Sequence, residues 1–493
     1  MRMTFAFFAA LLAGSAVASE PQPYRVVPEA RQLKWHETEC FALVCFGLNT
    51  FTGREWGYGE TDPSVFNPQK FDAGQVAAAI KSGGMRGLIL VAKHHDGFCL
   101  WPSATTGYNI SKSPWRGGKG DLVREFADAA RRHGLKFGIY CSPWDRNNEH
   151  YGKPEYLTVY HGQLRELLSN YGTVFEMWFD GANGGDGYYG GAREKRNIDA
   201  ATYYDWPKTW GIVRELQPMA CIFGDVGPDC RWVGNERGYA AAECWATFTP
   251  KGKRDVNRPA NGDTLNSAES PAGHRDGKIW AAPECDVPLR RGWFWHPDQN
   301  GTVKKTKQLM DIYFNSVGRG GCMNLGIAPD RDGLVCPADA ESLQVFGNAL
   351  RSLFERNLAD NAKVEADSVR KSDEKEAGRF APENVLDGDR YTYWATDDGV
   401  LQGSLTLLLP EVREFDVVRI RENIRLGQRV EGFAVDVWEN NGWREYAKGE
   451  SVGACRLIHG GKVGTDKVRL RITAAAACPC ISEFSLYAQN PAL

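Results

Sequence analysis

Between residues 35 and 355 of this 493-residue chain, short apolar runs alternate with amphipathic stretches, and few folds accept that pattern. The runs at 42–47, 87–92, 135–141, 174–179, 220–224, 240–245, 279–284 and 322–327 are predominantly hydrophobic, as strands buried on both faces are. Apolar residues at helical spacing fill 73–82, 121–133, 155–171, 202–216, 303–317 and 337–356. Eight strands joined by helices predict an α/β fold, a (β/α)8-like TIM barrel with long loops. Residues 246–278 are rich in Gly, Pro, Asn and Asp and predict a long loop in place of a helix after strand six.

After residue 356 the texture changes. A polar, charged stretch at 357–379 leads into alternating segments at 403–409, 415–422, 432–438, 467–472 and 484–488, separated by turn signals. They predict a C-terminal β-sandwich over 357–493, following a barrel domain over 19–356.

At the N-terminus, Arg2, a short apolar core and the small residues Ala16-Val17-Ala18 match a secretory signal peptide over 1–18. The expected mature protein is exported, to a periplasm or beyond, and is not inserted in a membrane. A net charge of −3 disfavours nucleic acid or an anionic membrane surface as partner. The thirteen cysteines cannot all pair internally. Most lie in apolar runs, so mainly free, buried thiols are expected, with one or two disulfides.

Asp180 closes the run VFEMWFDG (174–181), at the strand end where barrels place their chemistry. A strand-end Asp is also an ordinary cap for the next segment. Other strand ends are polar and aromatic too: Lys93-His94-His95-Asp96, Tyr140-Cys141-Ser142-Pro143-Trp144-Asp145, and the leading Trp35-His36 with Trp56. His94, His95 and Asp96 offer metal-ligand chemistry, but neighbouring strand residues point to opposite faces, and hydrogen bonding to a polyhydroxylated ligand is the alternative. Glu236 sits in the Gly-flanked loop RWVGNERG, while strand seven carries Glu284, Asp286 and Arg290. Stacking rings, diol acceptors and two carboxyls together suit recognition and cleavage of a pyranoside. The loop at 183–197 reads equally as an aglycone contact or as plain surface.

The segments KHHDGFCLWPS (93–103), FGIYCSPWD (137–145), EMWFDGANGG (176–185) and RWVGNERGYA (231–240) resemble glycoside hydrolase family 29, the α-L-fucosidases. The GNERG form and PECDVPLRRGWFWHP are similar to the branch acting on α-1,3/4-linked fucose. The resemblance implies a retaining exo-enzyme that needs no cofactor and acts on fucosylated oligosaccharides or glycoprotein glycans. Asp180 would be the nucleophile and Glu236 the acid/base, about 5 Å apart. His36, Trp56, His94, His95 and Tyr140 would line the fucose pocket, with Glu284, Asp286 and Arg290 toward the neighbouring sugar. The C-terminal segments around Asn384–Asp389 and Ser482–Phe484 resemble discoidin-like (F5/8 type C) modules. That resemblance implies a structural calcium near Asp387, Asp389, Thr392 and Glu483, or a carbohydrate-binding module; a domain that only packs on the barrel is the alternative.

Overall fold

The computed structural model describes residues 20–251, 264–372 and 376–489. The expected signal peptide at 1–18 and part of the 246–278 loop lie outside the described residues. Eight parallel strands close a barrel: β1 (Cys40–Val44), β2 (Gly87–Lys93), β3 (Lys136–Cys141), β4 (Glu176–Trp178), β5 (Cys221–Phe223), β6 (Cys230–Trp232), β7 (Ala282–Pro288) and β8 (Cys322–Ile327). β8 pairs with β1 to complete the ring. Helix α1 (Ala30–His36) precedes β1, and α2 (Ala73–Ser82), α3 (Leu122–Arg132), α4 (Glu155–Asn170), α5 (Trp206–Leu216), α6 (Thr306–Ser316) and α7 (Pro337–Phe354) follow later. Asp72 and Asp121 cap α2 and α3 by accepting first-turn N–H groups.

The pleat sorts the apolar runs. In β1 and the two residues after it, Phe41, Leu43 and Cys45 belong to the core inside the barrel, while Ala42, Val44 and Phe46 pack outward with the helices. The same parity turns Trp178 inward and Met177 and Phe179 outward. Continuing it aligns Glu176, Trp178 and Asp180 on the axial side of one chain segment. β7 repeats the device with Glu284 and Asp286, since Val287 packs outward.

The deep level of the interior holds a buried carboxyl pair, Glu176 and Glu284, hydrogen-bonded to each other. Trp35 donates its indole N–H to Glu176 at 3.0 Å. Trp178 and Asn324 donate to Glu284 Oε1 at 2.8 and 2.7 Å. Burial raises the pKa of both groups, and the charge of Glu284 adds to the effect on Glu176.

Strand six differs from expectation. It is Cys230–Trp232 and not 240–245, because the buried Arg231 guanidinium is satisfied by main-chain carbonyls. Its Nε and Nη2 donate to Ser270 O at 2.8 Å and Trp245 O at 3.0 Å, which makes a charged residue tolerable in a barrel wall. No helix lies between β6 and β7 among the described residues.

The C-terminal domain is antiparallel throughout: β9 (Lys363–Ala366), β10 (Trp394–Ala395), β11 (Gly403–Glu422), β12 (Val430–Glu439), β13 (Gly442–Gly449), β14 (Arg456–Ala475) and β15 (Cys480–Tyr487). β11 and β14 are each 20 residues long and joined through register shifts. One half of β11 pairs with β9 and the other with β15, so one sheet runs through the domain and encloses one apolar core. Glu39, just before β1, ties this domain to the barrel. Burial opposes its ionisation, yet Arg421, Arg390 and Arg86 hold its carboxyl well below the usual range.

Glu483, expected beside a calcium, has both oxygens accepting from arginines, Arg419 at 2.6 Å and Arg421 at 2.7 Å. Asp387 instead accepts from the Thr392 hydroxyl and the Asp389 N–H, closing an exposed turn. All thirteen cysteines are unpaired and buried, so there is no disulfide. No helix among the described residues is long and apolar enough to cross a membrane.

The carboxyl pair makes stability pH-dependent. Both groups hold protons more tightly when folded, so their contribution is present at low pH and lost as pH rises through their raised pKa values. Glu176→Gln supplies a permanent N–H donor to Glu284. It should reduce the alkaline loss of stability by about 1–2 kcal/mol, read from unfolding midpoints across pH.

Candidate active site

A cavity of about 260 Å3 opens at the C-terminal end of the barrel. Its floor is a run of stacked rings: Tyr140 on Trp178 at 4.9 Å between centroids and Trp178 on Phe223 at 4.1 Å. Trp178 is held from below by Glu284, so the deep carboxyl pair supports the floor.

Asp180 stands above these rings, two residues beyond the end of β4. Its Oδ2 accepts from the Tyr140 hydroxyl at 2.8 Å, and its Oδ1 accepts from the Ala182 N–H at 2.6 Å. His95 Nε2 lies 3.7 Å from Oδ2. The His95 Nδ1 is hydrogen-bonded with Ser142 Oγ at 2.8 Å, and His94 Nδ1 with Asn49 Nδ2 at 3.2 Å. Burial lowers both histidines, His95 to about 3, so both rings are neutral around neutrality. Trp56 is half exposed and meets His95 and Trp144 edge-on. Glu55 beside it accepts from the Trp293 N–H at 2.9 Å and pairs with His296 at 2.7 Å, joining the loops after β1 and β7.

Glu236 reaches the same cavity from the loop after β6. Burial raises its pKa, a hydrogen bond from Trp293 opposes the shift, and the charges of Asp180 and Glu55 add to it. Asp286 also lines the cavity and accepts from the Trp232 indole at 2.6 Å. Burial and then the charges of Glu284 and Glu236 raise it well above the usual carboxylate range. One site therefore combines Asp180, already accepting two hydrogen bonds, with two carboxyls biased toward the protonated form. Such a set can attack an electrophile and donate a proton.

Asp180, Glu236, Trp56, His94, His95, Tyr140 and Asp286 all line this cavity. Three other expected residues do not. His36 ends α1, ahead of β1, and so lies at the opposite end of the barrel. It is buried between Trp35 and Trp280, its Nε2 accepting from the Trp280 indole at 3.1 Å. Glu284 is one level too deep. Arg290 turns away toward α7, where its Nε pairs with Asp339 at 2.8 Å and its Nη1 with Asn300 at 2.9 Å.

The metal alternative also loses a member. Asp96 accepts from the Phe98 N–H at 3.0 Å and faces a separate small void, and burial raises its pKa to about 7. Among the described residues, the one group of potential ligands whose atoms converge is Glu176, Cys230 and Glu284. Indole and amide N–H groups already donate to that pair.

Cys45, Trp178, Phe223 and Asp225 line the cavity without having been singled out. Strand parity marks the first three, and Asp225 follows directly on the segment expected as strand five. Trp232 and Trp293 complete the aromatic wall.

The α-L-fucosidase family model matches residues 26–353. Alpha-L-fucosidase 1 of Arabidopsis thaliana is 38% identical over 495 residues, covering 98% of this chain and 93% of the relative. A glycoside hydrolase 29 family member from an unknown rumen bacterium superposes with a TM-score of 0.82 at 37% identity, covering 96% of this chain and 78% of that one. A Ruminococcus gnavus GH29 fucosidase, solved in complex with fucose, gives 0.85 at 31% identity, with 97% and 98% covered.

Gly181 sets the width of the site beside Asp180. A Cβ there would lie 1.9 Å from Asp225 Oδ2. Gly181→Ala should cost about 1–3 kcal/mol in denaturant unfolding. Combining it with Asp225→Ala should cost less than the two changes summed, by about 0.5 kcal/mol or more.

Proposed function

The chain belongs to the α-L-fucosidase family, glycoside hydrolase family 29, and from that premise we propose a retaining exo-hydrolysis run by Asp180 and Glu236. The chain is an α-L-fucosidase; the roles of these residues and the linkage cleaved are our reading. It rests on one observation above all: two carboxyls in one cavity with opposite surroundings. Asp180 accepts two hydrogen bonds, whereas burial and neighbouring charge bias Glu236 toward its acid form.

In the first step Asp180 attacks the fucosyl anomeric carbon from the face opposite the leaving oxygen. Glu236 gives its proton to that oxygen as the glycosidic bond breaks, leaving a β-fucosyl ester on Asp180. In the second step the Glu236 carboxylate takes a proton from water, which displaces Asp180 and releases α-L-fucose with net retention. The Tyr140 hydroxyl and the Ala182 N–H fix the attacking carboxylate. The neutral rings of His94 and His95 offer hydrogen bonds to sugar hydroxyls, and Trp178 with Phe223 gives an apolar floor for a deoxy-sugar's methyl group. Asp286 and Trp232, on the Glu236 side, fall toward the adjoining sugar. We read the preferred substrates as α-1,3/4-fucosylated branches such as those of Lewis-type glycans, on the strength of the GNERG and PECDVPLRRGWFWHP segments.

Asp180→Ala should lower kcat by about 10^4-fold or more. Azide should restore turnover in that variant and give β-fucosyl azide. Glu236→Ala should cost about 10^2–10^4-fold on a disaccharide and far less on an activated aryl fucoside. The raised pKa of Glu236 keeps it protonated to higher pH, so kcat/KM should fall as pH rises through that value, and this limb should vanish in Glu236→Ala. A β-fucose first product from the unaltered enzyme would overturn the mechanism. For the linkage, Lewis a and Lewis x should release fucose faster than 2′-fucosyllactose; cleavage of the last alone would overturn that assignment.

A further inference from the structure

The loop carrying Glu236 occupies the place of the missing helix between β6 and β7, and much of its support comes from the C-terminal domain. Asn235 closes the turn around Glu236: its Oδ1 accepts from Arg237 N–H at 3.1 Å and Tyr239 N–H at 3.3 Å, and its Nδ2 donates to Tyr239 O at 2.9 Å. The Tyr239 hydroxyl donates to Asp311 on α6, and the Ala240 N–H donates to Asn315 O at 2.9 Å. A side chain at Gly238 would meet Ile312 and Val287 within about 3 Å, so the loop lies tight against the barrel wall.

From residue 242 onward the ties pass to the other domain. Glu243 Oε2 accepts from the N–H groups of Glu450 and Ser451 at 2.9 and 2.8 Å, and from the Ser451 hydroxyl at 3.1 Å. Its Oε1 pairs with Arg456 Nη2 at 3.1 Å. Arg456 also donates to Ala242 O, the Cys244 N–H donates to Ser451 Oγ at 3.0 Å, and the Ala246 N–H donates to Gln428 Oε1 at 3.0 Å. In a regular barrel a helix's own hydrogen bonds hold such a segment. Here the sheet domain supplies them.

Resting on the acid/base reading of Glu236, we propose that Glu243 is a positioning residue that lets the C-terminal domain set the place of the Glu236 carboxyl. Glu243 does not line the cavity. It anchors the far end of the loop, with α6 as the intermediate hold, so loosening it lets Glu236 move away from the leaving oxygen and toward water. A misplacement of about 1 Å can cost on the order of 100-fold in a step that depends on the misplaced group.

The test compares Glu243→Ala and, from the other side of the boundary, Arg456→Gln with the unaltered full-length protein. Each is assayed on an aryl fucoside with a good leaving group and on a fucosylated oligosaccharide that the unaltered enzyme cleaves, with thermal midpoints in parallel. The expected result is a fall of about tenfold or more in kcat on the oligosaccharide, little change on the aryl fucoside, and KM nearly constant. The alkaline limb of kcat/KM should move to lower pH, because a loosened Glu236 loses part of the burial that raises it. An equal fall on both substrates, or no change on either, would overturn the positioning role. Glu236→Ala is the reference arm: if it shows no dependence on leaving group, the acid/base reading itself fails and takes this proposal with it, whereas bias in Glu236→Ala alone rejects only Glu243.

Discussion

A closed eight-stranded barrel has an interior that side chains must fill level by level, and in this protein the deep polar level is closed by the Glu176–Glu284 pair. Two carboxyls could not both remain charged there. Burial pushes both toward the protonated form, and N–H groups from Trp35, Trp178 and Asn324 hold them in place as struts. Trp178 rests on one of them, Tyr140 stacks on Trp178, and the Tyr140 hydroxyl holds Asp180. The orientation of the carboxylate at the rim thus depends on hydrogen bonds at the barrel's centre.

Above that level the environment divides the acids. Asp180 accepts two hydrogen bonds at fixed positions, while burial and like charges raise Glu236 and Asp286 against the opposing hydrogen bonds from Trp293 and Trp232. The histidines at the site are too buried to carry charge and act by geometry. The C-terminal domain belongs to the same system. Its arginines grip Glu39 below the barrel and Glu243 on the wall, where a helix is missing. It closes the barrel's side as well as extending it.

Much of this was legible in the chain. The alternation of apolar runs and helices gave the barrel, with helix boundaries within a few residues. The carboxylate at the end of VFEMWFDG marked the site. His94, His95 and Tyr140 were legible because each ends a long apolar strand. Strand six was not, since Arg231 breaks its apolar run and only the carbonyls of Ser270 and Trp245, distant in sequence, neutralise that cost. His36 was expected in the pocket from the family resemblance, and its place at the end of α1, ahead of β1, sends it to the other end. Arg290 was drawn away by Asp339, 49 residues on.

By itself, then, the sequence determined the strand and helix periods, and through pleat parity it determined that Glu176, Trp178 and Asp180 share a face. Those are local facts, set by bonds between near neighbours and by the two-residue repeat of a strand. Only the tertiary structure decided that Glu236 meets Asp180 in one cavity, that Asp286 joins them while Glu284 stays below, and that a second domain holds the loop between. These depend on barrel closure and on hydrogen bonds between segments hundreds of residues apart. No local pattern encodes them.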